Sequence, residues 1–213
     1  MSSLARLLTF GIDTGLFNIK PISEIDKSCC PNVAVEVIDF DETKTKISGL
    51  GGLQQPKSCD GLKIIPQRHQ IDFIEFKSFE KFKQYQLTRI PKEQRKNAIQ
   101  TKISSFGLKQ KIDDSLFIFN FVTLHKDFKM TVQEREEINT AIKNYIILID
   151  IALERNPLTN LAVTLDYLSD EASHDEVLVT CIKDEISGID ICYLTNKPVL
   201  MSCDKVSEYY QGI

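Results

Sequence analysis

The chain reads as one layered α/β domain with a mixed sheet. Three observations carry that reading. Alternating, β-prone segments lie close together between residues 32 and 78, helical patterns separate the later β-prone runs, and no shift of composition marks a second domain. A length of 213 residues suits one domain, spanning 1–213, with at most a modest appendage. The apolar fraction of 42% is that of a globular chain, and a chain of this size buries roughly 70% of its unfolded surface, so it needs no staples.

Residues 4–10 are expected to form a short helix. Residues 32–40 (NVAVEVIDF) alternate and are β-branched, which predicts a strand with Val33, Val35 and Val37 on one face. The polar residues 41–46 and the glycines at 49–52, with Pro56, read as loop. Residues 59–65 form a second expected strand, 66–70 a turn, and 71–78 (IDFIEFKS) a third strand. In that third strand Ile71, Phe73, Glu75 and Lys77 share one face, and Asp72, Ile74 and Phe76 the other.

Pro91 then opens a helix to about Lys111, because its missing N–H would be unpaired there anyway. Ile99, Ile103 and Phe106 supply the apolar stripe. Residues 116–124 (LFIFNFVTL) predict a strand buried on both faces. Thr131 and Glu134 form a capping box at the head of a helix. Its apolar positions Ile138, Ala141, Ile142, Tyr145, Ile149 and Ala152 run toward the stop at Asn156-Pro157. Residues 158–168 fit a helix or an extended segment equally. Residues 176–183 and 189–194 predict two strands around a turn at 184–188.

Residues 1–12 lack the sustained apolar stretch of a secretory leader. No window approaches ~18 uninterrupted apolar residues, so no membrane span is expected and the location expected is cytoplasmic. None of the six cysteines is spaced as Cys-x-x-Cys and the three histidines are scattered, which argues against a zinc motif. Reduced thiols packed as small apolar residues are expected instead. His69, His125 and His174 have no Ser or Cys arrangement suggesting a triad. Asp39, Asp41 and Glu42 read as a solvated turn. Gly49, Gly51 and Gly52 lack the Lys-Ser/Thr of a phosphate loop.

Net charge is −4, but it is unevenly distributed. Window 77–111 holds ten basic and two acidic residues, a net of +8. From residue 130 onward fifteen acidic and six basic residues give −9. Such a dipole predicts one surface for a polyanion and one acidic surface for a protein partner. A solvated Lys-rich helix is the alternative.

Asp60 opens the second expected strand, and Glu75 and Lys77 lie about 7 Å apart on one face of the third. Two carboxylates converging at a sheet edge can hold Mg²⁺ in an oxygen shell completed by water. A lysine alongside can orient an attacking water or offset transition-state charge. The segment CDGLKIIPQRHQIDFIEFKS resembles the core of the PD-(D/E)XK nuclease superfamily: an acid opening a strand, a turn, then a hydrophobic run into Glu-x-Lys and a helix. Two departures stand out. Cys59 replaces the family's proline, and the acid that many members carry on the first helix has only Glu24 and Glu36 as candidates.

The resemblance covers about half the chain. It implies a restriction-endonuclease-like α-β-β-β-α-β core at about 20–125, a central mixed sheet flanked by helices, and decoration at 130–213. It implies Asp60 and Glu75 as metal ligands, Lys77 as the third catalytic residue, and Mg²⁺ as cofactor with Mn²⁺ as substitute. Lys81, Lys83, Arg89, Lys92, Arg95, Lys96 and Lys102 would hold nucleic acid, DNA in preference to RNA. Restriction, phage defence and repair all use such a core, and a homodimer is compatible with it. One rival is a non-catalytic relative that binds nucleic acid or protein. The other is an unrelated α/β interaction protein in which the three residues coincide.

Overall fold

The computed structural model describes residues 1–51, 56–151, 153 and 171–211. Helix α1 (Ser3–Asp13) starts at Ser2, whose hydroxyl accepts the Ala5 N–H. A short strand β1 (Ile19–Pro21) and a single helical turn α2 (Ile22–Ile25) follow. Strand β2 (Glu36–Asp39) runs directly into α3 (Phe40–Gly51). The polar stretch expected as loop is therefore helical, with Asp41 and Glu42 in the first turn, where carboxylates favour the helix dipole. Strands β3 (Gly61–Ile65) and β4 (Gln70–Lys77) form the expected hairpin. Helices α4 (Glu80–Tyr85), α5 (Lys92–Ser104), α6 (Leu108–Thr123) and α7 (Val132–Asn139) connect it to β5 (Ile142–Ile149). Helix α8 (Glu171–Ser187), strand β6 (Val199–Ser202) and the short α9 (Val206–Tyr209) complete the described chain.

The fold is α/β with a mixed six-stranded sheet in the order β1-β2-β3-β4-β5-β6. Neighbours from β1 to β4 are antiparallel, whereas β5 is parallel to β4 and β6 parallel to β5. Strands β4 and β5 are interior strands covered on both faces, which explains their near-continuous apolar character. Ile71 and Phe73 face a core with Phe40, Leu62, Phe119 and Tyr145, roofed by α1, α5, α6 and α8. Ile74 and Phe76 face a second core with Ile65, Ile146, Leu148 and Val206. Among the described residues, no helix is long and apolar enough to cross a membrane.

Four sequence expectations are corrected. Residues 116–124 are not a strand but the C-terminal half of α6: Leu116, Phe119 and Val122 are buried at helical spacing, and Phe117 and Phe121 point outward. The helix headed by the Thr131–Glu134 capping box ends at Asn139, and Ile142–Ile149 is a central strand. Its apolar residues fitted a helical period because nearly every position is apolar. The strand that follows the helices is thus β5, not 116–124, and the sheet extends well past residue 125. Residues 176–183 lie inside α8, where Leu178, Cys181 and Ile182 are buried, and 189–194 form no strand. Residues 158–168 lie outside those described.

The expectation of six reduced thiols is also corrected: Cys30 and Cys203 form a disulfide, with Cys29, Cys59, Cys181 and Cys192 free. It joins the segment before β2 to the segment after β6. No sequence spacing could show this, because the partners lie 173 residues apart.

Candidate active site

Asp60, Glu75 and Lys77 come together where β3 begins and β4 ends. The hairpin register pairs Gly61 with Ile74, which sets Asp60 beside the last residues of β4. There Asp60 Oδ2 accepts the Phe76 N–H at 2.7 Å. Lys77 bonds Glu75 Oε1 through its ammonium group, and its Nζ lies 5.0 Å from the centre of the Phe106 ring, in range for a cation–π contact.

A fourth charged residue, Lys111, completes the cluster. Its Nζ lies 2.6 Å from Glu75 Oε1 and 3.6 Å from Asp60 Oδ1. Those two carboxylate oxygens therefore lie at most about 6 Å apart, on either side of the Lys111 ammonium. In the sequence Lys111 falls in the basic window at the end of one helix expected from Pro91, which gives it no place in the site. Instead α5 ends at Ser104, and Gly107, in the left-handed region at φ 59°, separates it from α6. Lys111 then falls in the first turn of α6, over the end of β4. Ser115 fixes the register: its hydroxyl accepts the Cys59 N–H at 2.8 Å and donates to the Lys111 carbonyl at 2.6 Å.

The Glu75 side chain is fully buried, and among the described residues its Oε2 has no hydrogen-bond partner. Burial, then the nearby Asp60 charge, pushes its pKa up to about 7 against the pull of Lys77 and Lys111. Burial likewise raises the Asp60 carboxyl, opposed by Lys111, Lys77 and the Phe76 N–H. Burial disfavours the Lys111 ammonium, but Asp60 and Glu75 outweigh it and hold its pKa above the ordinary lysine value.

These residues fit a hard divalent cation. An unpartnered buried carboxylate oxygen is costly, and Glu75 Oε2 beside Asp60 offers the oxygen donors that Mg²⁺ prefers. Neither candidate for a further acid joins them. Glu24 is on α2, over the other core, and Glu36 opens β2 at the end away from Gly61. The nearer acid is Asp41 in the first turn of α3, which bonds the Ser58 hydroxyl and whose charge helps raise the Asp60 carboxyl.

A further residue that positions the site is Asp150, which interrupts the apolar run of residues 145–153. Following β5, it accepts from the Ser78 hydroxyl at 2.6 Å and from the Phe79 and Glu80 N–H groups at 2.9 and 3.2 Å. It thereby ties down the chain immediately after Lys77. A short interruption by one Asp in an apolar strand end is the only trace of it in the sequence.

The basic residues expected to hold nucleic acid differ in exposure and in partners. Lys81, Arg89 and Lys96 are exposed. Lys83 pairs with Asp175 of α8 at 2.6 Å, Arg95 donates to the Ile90 carbonyl at 2.9 Å, and Lys102 lies over the Phe82 and Phe106 rings. The Lys92 side chain lies outside the described residues. No family model, curated protein or solved structure matches this chain.

Proposed function

We propose that the chain is a metal-dependent nuclease of the PD-(D/E)XK kind, acting on DNA in preference to RNA. The observation that carries the proposal is the buried, unpartnered Glu75 Oε2 in a cluster with Asp60, Lys77 and Lys111. The sheet supports it in part: β2, β3 and β4 are antiparallel neighbours and β5, after helices, pairs parallel with β4, whereas α3 lies between β2 and β3 where the implied α-β-β-β-α-β order has no helix.

Glu75 Oε2 and Asp60 Oδ1 would hold Mg²⁺ or Mn²⁺. Bound there, the cation supplies a water of lowered pKa and offsets charge on the scissile phosphate. Asp60 Oδ2 is kept out of that role by the Phe76 N–H, which orients the carboxylate. Lys77 orients the attacking water. Lys111 balances the second carboxylate charge, so neither carboxylate is left as an unpaired ion. The exposed Lys81, Arg89 and Lys96 supply phosphate contacts beyond the site.

Incubation of the pure chain with Mg²⁺ or Mn²⁺ and plasmid, linear duplex, single-stranded DNA or RNA tests the proposal. Cleavage is expected, falling at least about a hundredfold in Asp60→Ala, Glu75→Ala and Lys77→Ala with unchanged circular dichroism. Manganese binding followed by electron paramagnetic resonance gives a second readout, and Asp60→Asn should weaken it. Cleavage unaffected by all three substitutions would place the chemistry elsewhere. A wild type inactive on every substrate would favour the non-catalytic binding module.

A further inference from the structure

A second group of converging ligands lies outside the carboxylate cluster. Cys29, Cys30 and Cys203 place their three sulfurs within 4.8 Å of one another. Cys29 and Cys30 are buried, and Cys203 is partly open to solvent. Cys30 and Cys203 are bonded to each other, and Cys29 Sγ rests 3.4 Å from Cys203 Sγ and 3.7 Å from Cys30 Sγ.

Those two distances decide between two uses of a third sulfur. Thiol–disulfide exchange needs the attacking sulfur in line with the bond it breaks, hence much farther from the leaving sulfur than from the attacked one. Cys29 is nearly equidistant from both, so the three atoms make a triangle and not a line. A triangle of sulfurs is the arrangement of donors around one centre. Zinc–sulfur bonds of ~2.3 Å in a tetrahedron set neighbouring sulfurs about 3.8 Å apart, close to both contacts of Cys29.

We propose that Cys29, Cys30 and Cys203 form a redox-gated site for one thiophilic divalent cation, closed by the disulfide and opened by its reduction. The gate balances simply. Two small-molecule thiols give up two electrons and two protons and leave as their own disulfide, while the Cys30–Cys203 bond breaks and each sulfur takes a proton. Three sulfur–metal bonds then form as the thiol protons pass to solvent. The remaining coordination position falls on the solvent side of Cys203. Soft sulfur donors select Zn²⁺ or Co²⁺ over Mg²⁺, so this site and the carboxylate cluster would take different ions. Cys29 Sγ also lies 3.5 Å from the Lys77 carbonyl and 3.4 Å from that of Leu148, so metal binding would act on the strand end that carries Lys77.

The full chain, reduced with a small-molecule thiol and freed of it under argon, is titrated with Co²⁺. Cobalt bound to thiolate sulfur gives a charge-transfer absorption that carboxylate ligation does not. The expected result is saturation at one equivalent per chain, with displacement by Zn²⁺, and no such band in the oxidised chain. Cys29→Ser, which leaves the disulfide partners in place, should weaken binding about tenfold or more. The double variant Asp60→Asn/Glu75→Gln should keep the band, so failure of the nuclease reading leaves this result untouched. A reduced chain without the band would overturn the proposal, as would a band undiminished in Cys29→Ser.

Discussion

Glu75 places both its ammonium partners on Oε1 and leaves Oε2 bare, and burial outweighs the two lysines. Its folded pKa of about 7 lies above the ordinary 4.5. The stabilisation held by the protonated carboxyl is thus fully present below pH 4.5 and lost as pH rises through about 7. From this group alone the chain should lose on the order of 2–3 kcal/mol between pH 5 and pH 8. Urea denaturation at both pH values checks it: Glu75→Gln should lose less than the wild type and be the more stable of the two at pH 8. Equal losses would show that Glu75 does not titrate as argued. The other buried acid of β4, Asp72, has a different setting. It accepts from Gln70 at 2.8 and 2.9 Å, Asn144 at 2.7 Å and the Tyr210 hydroxyl at 3.0 Å. Asp72→Ala removes the acceptor of three donors, of which Gln70 keeps a 3.4 Å contact to the Tyr209 hydroxyl, and should cost about 2–4 kcal/mol in the same assay, whereas Tyr210→Phe, which removes one donor, should cost about 1 kcal/mol.

At the scale of elements, α6 gives the sharpest contrast between pattern and structure. In a strand Phe117, Phe119 and Phe121 would share one face. In α6 Phe119 is 1% exposed, while Phe117 is 50% exposed. Phe119→Ala should therefore cost about 3–5 kcal/mol, and Phe117→Ala less than about 1 kcal/mol, measured by chemical denaturation. Similar costs for both would return the segment to a strand. On β4, Phe73 and Ile74 point to opposite faces and both are fully buried, as a central strand requires. Each alanine substitution there should cost about 2–5 kcal/mol. The β3–β4 hairpin was legible because its residues alternate cleanly and a proline turn separates the two runs. Helix α6 and strand β5 were not, because a run apolar at almost every position satisfies both periods at once.

At the scale of the molecule, the basic and acidic windows meet among the described residues. Helix α5 packs along α8, and Lys83 meets Asp175. Part of the +8 window is thus neutralised within the chain. Among the described side chains of that window, Lys81, Arg89, Lys96 and Lys109 are exposed. Duplex DNA binding should weaken steeply with added salt, because phosphate contacts release counterions. Replacing Lys81, Arg89 and Lys96 with Glu should lower affinity and flatten the dependence of log K on log salt. Fluorescence anisotropy across a salt series reads both, and an unchanged slope would place the nucleic acid elsewhere.

Local pattern was enough for the features that depend on neighbours in the chain. The α/β class, the hairpin, the Thr131 capping box and the grouping of Glu75 with Lys77 on one face all follow from alternation, turn residues and side-chain direction along a strand. What tertiary structure alone decided depends on partners distant in sequence. Lys111 reaches Glu75 across 36 residues, because Gly107 turns the chain and Ser115 locks α6 to Cys59. Cys203 reaches Cys30 across 173 residues. Strand β5 became a strand because β4 and β6 offered its backbone ladders on both sides, and burial on two faces, unlike burial on one, leaves no period in the sequence to read.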